Sequence, residues 1–160
     1  DVAQAGERFE PLPTVVLVGF DDLTSANTLV ELANGYSGLN WSNWVAAHRI
    51  LYGGPGYVNG TQSGEHVAYN GSGHPAVVSS DEPFDFVGAY VAAAWPGGEQ
   101  FDVLVQAWRG DDVVYVDRFA PSTKGSVYLD ADYRSITRLE LRSEANWQIV
   151  VDDAEFRLPS

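Results

Sequence analysis

The chain contains no cysteine and no methionine, and Lys124 is its only lysine. Without cysteine there is no disulfide framework, no thiol nucleophile and no thiolate metal site. No apolar run approaches the ~20 residues that a membrane-spanning helix requires. Cations are scarce: nine Lys and Arg stand against 22 Asp and Glu, for a formal net charge of −13. Such a surface repels phosphate backbones and anionic lipid, which disfavours nucleic acid and anionic membrane as partners and suits cations and neutral sugars better. No G-x-S-x-G elbow and no phosphate-binding loop is present. With no initiating methionine, the sequence is expected to begin after a processing boundary, and a removed signal peptide fits a secreted, extracellular location.

What is present is apolar and β-forming. Hydrophobic residues make up 45% of the 160 positions and charged residues 19%, which excludes wholesale disorder and suffices for one domain with its own core. Residues 1–13, with Pro11 and Pro13, read as a leader or arm before a domain spanning 14–160. Strand-like runs then follow at 14–20, 39–45, 65–69, 75–79, 84–95, 100–108, 112–119, 126–130, 135–142 and 147–157, separated by Gly, Pro, Asn and Asp. The run FDFVGAYVAAAW at 84–95 is apolar or small on both faces and predicts a central strand covered on both sides. One stretch, 24–33, has a helical pattern, with Thr24 or Ser25 as cap. Residues 52–64 hold five glycines and one proline in thirteen positions and predict a long surface loop. Many short strands without alternating helices predict an all-β, antiparallel two-sheet sandwich or barrel. A jelly roll with adjacent N- and C-terminal strands fits best.

The adjacency rests on two acidic strand ends, TVVLVGFDD at 14–22 and WQIVVDDAEFRL at 147–158. Period-2 alternation places Asp22 with Val16, Val18 and Phe20, and Asp152 with Val150, Ala154, Phe156 and Leu158. A carboxylate on an apolar face needs a cation, a donor or a proton. Calcium takes 6–8 oxygen ligands, carboxylate, carbonyl and amide. Asp21, Asp22, Asp152 and Asp153, with Asn40 or Asn43 from the 34–43 loop, are the candidate ligands. The alternative is that both doublets are solvated turn residues.

Five tryptophans and eight tyrosines supply candidate sugar platforms. Trp41 and Trp44, three apart in one strand, are expected on opposite faces. Trp95 precedes Pro96, and Trp108 ends a strand beside Arg109. Tyr36, Tyr52 and Tyr57 lie on loops, which present side chains. Core packing is the competing role for each tryptophan. His48, His66 and His74 lack ligand spacing for zinc and read as surface histidines. Glu82 with Asp85, or Glu65 with Asp102, could form a glycosidase pair, although no local motif marks either. Arg109-Gly110-Asp111 reads as a hairpin turn rather than an adhesion tripeptide.

In order, GFDDL (19–23), NGYSGLNWSNW (34–44), GYVNGTQSGEHVAYN (56–70), FDFVGAYVAAAW (84–95), VYVDRF (114–119) and VVDDAEF (150–156) resemble a family of uncharacterised extracellular jelly-roll domains. These occur in bacterial proteins with cell-surface sorting tails and in secreted fungal proteins. The architecture is similar to jelly-roll carbohydrate-binding modules, and that resemblance implies a structural calcium between first and last strands. The expected function is a secreted, non-catalytic and monomeric β-sandwich that binds a polysaccharide or other glycan. A structural or adhesive surface domain without small ligand, and a small polysaccharide lyase or glycoside hydrolase, are the alternatives.

Overall fold

The computed structural model describes residues 14–23, 29–51 and 54–159, apart from the side chains of 98 and 99. The expected leader at 1–13, the helical caps Thr24 and Ser25, and Tyr52 lie outside the described residues. Among the described residues there are ten strands: β1 (Thr14–Val18), β2 (Leu29–Glu31), β3 (Asn40–Ser42), β4 (Trp44–His48), β5 (His66–Asn70), β6 (Ala76–Ala93), β7 (Val103–Arg109), β8 (Asp112–Phe119), β9 (Val127–Ser143) and β10 (Ile149–Leu158). A five-residue helix, α1 (Pro55–Asn59), interrupts the stretch expected to be a loop. Leu29–Glu31, expected in a helix, is an edge strand paired with Val45–Ala47. Pairing with a formed edge outweighs a short helical pattern.

Every pairing is antiparallel, in the order β2-β4-β5-β10-β6-β9-β7-β8, with β1 beside β10 and β3 beside β6. The expected pairs of strands at 75–79 and 84–95, and at 126–130 and 135–142, are each one long bent strand. β6 and β9 pair along both halves, with register breaks between Ser79 and Gly88. Pro83, which has no N–H to give a ladder, stands in that corner. The single hydrogen-bonded sheet thus doubles over into a β-sandwich. One layer carries β3, β7, β8, the Ala76 half of β6 and the Ser143 half of β9; the other carries β1, β2, β4, β5, β10, the Ala93 half of β6 and the Val127 half of β9.

The inner faces meet around Trp41, Trp44, Phe84, Phe86, Tyr133 and Phe156, each at most 5% exposed. Their rings touch edge-on or tilted at centroid distances of 5.4 to 6.0 Å. Burying each such side chain stabilises the fold by about 1.5–3 kcal/mol. A smaller apolar cluster covers the outer face of β4, β5, β10 and β6, where Tyr57 from α1, Leu51 and Trp95 lie over Val67, Tyr69, Ala92 and Val150. β6 is therefore central and covered on both sides toward its Ala93 end.

Left-handed residues reset the alternation that the sequence pattern assumes. Asn43 has φ +62 between β3 and β4, so Trp41 and Trp44 both turn inward, not to opposite faces. Asp153 has φ +47 where the β10–β6 register shifts. Asp152 consequently shares the outer face with Val150, while Ala154 and Phe156 face the main core. Asp22 lies in a turn past the end of β1 and is exposed. No helix among the described residues is long and apolar enough to cross a membrane.

Candidate functional site

β1 and β10 pair directly, from Thr14↔Leu158 to Val18↔Ala154. That register brings the two aspartate doublets to one end of the seam, where residues 62–66 pass between them. Asp152 Oδ2 accepts the backbone N–H of Gln62 at 2.7 Å and of Ser63 at 3.1 Å. Its Oδ1 accepts the Asp153 N–H at 2.8 Å. Asp21 Oδ1 accepts the N–H groups of Glu65 and His66 at 2.8 and 2.9 Å and lies 3.1 Å from His66 Nδ1. Asp153 Oδ1 accepts the Ser63 hydroxyl at 2.6 Å, and Asp22 Oδ1 that of Tyr36 at 2.7 Å.

These contacts divide the acids into two kinds. Asp152 is fully buried and its oxygens are engaged by amides. Burial raises its carboxyl to about 7, against the lowering effect of the Gln62 and Ser63 N–H groups. Asp21, Asp22 and Asp153 instead line an open cleft with Gly19, Tyr36 and Ser63. Gly19 is its floor. Around the point where a Cβ would stand there, Asp153 Oδ1 lies at 3.3 Å, Asp21 Oδ2 at 3.5 Å and Ser63 Oγ at 3.6 Å. A side chain at Gly19 would occupy this oxygen-lined space. The Tyr36 hydroxyl is held above its ordinary range, first by burial, then by its bond to Asp22 and that residue's charge.

The cleft fits a hard cation in donor chemistry, since all its donors are oxygens and three are carboxylates. It does not draw on every expected ligand. The Asn43 amide donates to the carbonyls of Gly71, His74 and Pro75 at 3.0–3.1 Å, on another loop. No group of three or more His, Cys, Asp and Glu among the described residues has the grouping of a ready-made metal centre. Ser63 and His66 joined the site without being expected there. The available signal was Gly64, whose φ is +60 and whose Cβ would lie 2.2 Å from Asp21 Oδ2. Histidines 48 and 66 are not surface residues: they oppose each other across β4 and β5, 7% and 8% exposed, with ring centroids 5.3 Å apart.

The expected aromatic platforms are dispersed. Trp41, Trp44 and Tyr57 are core residues. Trp95 is half-buried, and its indole N–H donates to Gln148 Oε1 at 2.8 Å. Tyr36 is in the acidic cleft. Trp108 lies on the outer face of β7, with the Arg138 guanidinium 4.6 Å from its ring centroid. In the next register row on that face are Gln106, Glu140 and exposed Val116. Three of the four acids in the suggested pairs have other partners. Asp85 is buried and accepts the Ser135 N–H, Glu65 stands 3.8 Å from His48, and Asp102 stands 3.8 Å from Arg118. Gly110, with φ +64, makes the β7–β8 turn.

No protein-family model matches the chain, and no curated protein matches it. The family resemblance therefore rests on the ordered motifs alone. Among solved structures, one similar chain is Clostridium perfringens ZmpB, comprising an M60 catalytic domain with CBM51-1 and CBM51-2 domains. The identity is 13% over 90% of this chain and 15% of that one, with a TM-score of 0.38. Another is the Clostridium thermocellum endo-1,4-beta-D-xylanase 10B, CBM22-1 and GH10 modules complexed with xylohexaose. Here identity is 12% over 89% of this chain and 27% of that one, with a TM-score of 0.36. The chain spans less than a third of either, and at these TM-scores the likeness fixes neither family nor ligand.

Proposed function

We propose that the chain is a secreted, non-catalytic β-sandwich that binds glycan on the outer face of β7 and carries a structural calcium at the β1–β10 seam. The observation that carries the glycan reading is Trp108. It is half-buried on the outer face of β7 with the Arg138 guanidinium over its ring, and Gln106 and Glu140 in the adjacent row can hydrogen-bond hydroxyls. Supporting the calcium reading is the convergence of Asp21, Asp153 and Ser63 oxygens above Gly19, with Asp22 at the rim. Those residues would hold the ion, and bound calcium would supply charge neutralisation between the first and last strands.

Calorimetry against a panel of neutral and acidic polysaccharides tests the ligand. Binding that Trp108→Ala weakens about tenfold or more, the loss of a central aromatic anchor, is the expected outcome. Absence of binding across the panel would leave a structural or adhesive domain. Release of reducing or unsaturated ends would make it a hydrolase or lyase instead.

A further inference from the structure

The outer face of the other layer holds an aromatic pair that the site above does not use. Two register rows cross β10, β6 and β9 there, and a third crosses β10 and β6. The first is Asp152–Tyr90–Tyr128, the second Glu155–Gly88–Asp130, and the third places Arg157 beside Asp85. Directly opposed residues of antiparallel strands share a face, so both tyrosines and both flanking carboxylates project to one side. The two phenol rings stand 4.9 Å apart, tilted by 57°, and Tyr128 is 42% exposed.

Gly88 makes the arrangement possible. A Cβ there would lie 2.5 Å from the Tyr128 hydroxyl and 2.4 Å from the Leu129 carbonyl oxygen. The bare backbone lets the Tyr128 ring run across the row between Glu155 and Asp130. Burial first, and then the charges of Glu155 and Asp130, hold the Tyr128 hydroxyl above its ordinary range. Asp130 is exposed and Glu155 half-buried. Arg157 stands one row away, opposite buried Asp85, and Asp152 at the far end is capped by the Gln62 and Ser63 amides.

We infer that Tyr90, Tyr128, Asp130 and Glu155 form a binding site for a protonated amino sugar within an oligosaccharide. Aromatic faces receive the C–H side of a pyranose and attract a cation through their quadrupoles. Carboxylates accept from an ammonium, which has three donors and no acceptor. The net charge of −13 concentrates cationic ligands at the surface. The inference shares with the glycan reading only the assumption that a sugar ring is bound, and it uses the opposite side of the sandwich.

The test is calorimetry of the full chain with a glucosamine oligosaccharide and with its fully N-acetylated counterpart, at low and at raised salt. The expected result is binding of the amine form, at least about tenfold weaker for the acetylated form and weakened by salt, as a desolvated cation contact requires. Tyr128→Ala and the double variant Asp130→Asn with Glu155→Gln each lose about tenfold. Equal affinity for both oligosaccharides, no binding of the amine form, or unchanged binding by both variants would overturn the site. So would a lysine-rich peptide that binds as tightly as the sugar. Loss in Trp108→Ala with retention in Tyr128→Ala would overturn it while leaving the glycan reading in place. Circular dichroism of each variant confirms that the loss is local.

Discussion

The Tyr57 hydroxyl donates a 2.7 Å hydrogen bond to Gln148 Oε1, the same oxygen that accepts the Trp95 indole N–H. One amide thus ties α1 and the end of β6 to the residue preceding β10. Tyr57 is fully buried, in edge-on contact with Tyr69 and Trp95. Tyr57→Phe removes the hydroxyl alone and is expected to cost about 1 kcal/mol. Tyr57→Ala opens a cavity under α1 and is expected to cost about 3–5 kcal/mol. Urea unfolding checks both; equal losses for the two variants would mean that the ring is not what closes the smaller cluster.

Asp152 makes stability depend on pH in an unusual direction for a carboxylate. Its folded-state value of about 7 lies above that of an unfolded aspartate. The native state therefore holds the proton more tightly. Its contribution is fully present below about pH 4 and is lost as pH rises toward about 7. Asp152→Asn removes this titration and should flatten the decline. Urea midpoints of both proteins, measured in chelator across this range, decide the matter; parallel profiles would show that another group carries the effect.

The proposed calcium gives the third prediction. A ligand at 100 times its Kd stabilises the state that binds it by about 2.7 kcal/mol, so chelator should lower the melting temperature by several degrees. Asp153→Ala should abolish that difference, because its Oδ1 borders the Gly19 cradle. Asn43→Ala should retain it, because its amide serves the 71–75 carbonyls. A melting curve indifferent to chelator removes the structural ion.

Asn43 has a separate cost. It adopts φ +62 and its amide reaches three carbonyls. Asn43→Gly keeps the backbone conformation and loses the bonds, whereas Asn43→Ala loses both. Thermal unfolding should rank wild type above Gly and Gly above Ala, with about 1–2 kcal/mol between the two variants. Ala equal to Gly would show that the left-handed turn is not under local strain.

The strand content and the meeting of the chain's outer strands were legible because each run is rich in β-branched and aromatic residues with turn residues between. Faces were less legible. Counting by twos put Asp152 with Phe156 and split Trp41 from Trp44, and both assignments fail at a single left-handed residue, Asp153 and Asn43. Neither is glycine, so composition gave no sign of the break. Tyr57 was hidden for a different reason. It sits in a glycine-rich stretch that resembles an exposed loop, yet its small neighbours let α1 lie against β6. The acids of the seam were found by their doublets, but their partners are mainly backbone amides, which no residue pattern reports. Tyr90 and Tyr128 become neighbours only through the β6–β9 register, which the sequence does not print.

The pairing of Thr14 with Leu158 joins the first and last strands of the sandwich, which are distant in sequence. In folding, the valine-rich β1 has no hydrogen-bonding template until β10 is in place. Val15 and Leu17, 60% and 63% exposed even in the finished fold, are then at their most adhesive. Closing this seam is a long-range pairing, and a chain whose β10 has not yet docked would leave β1 open to mispairing.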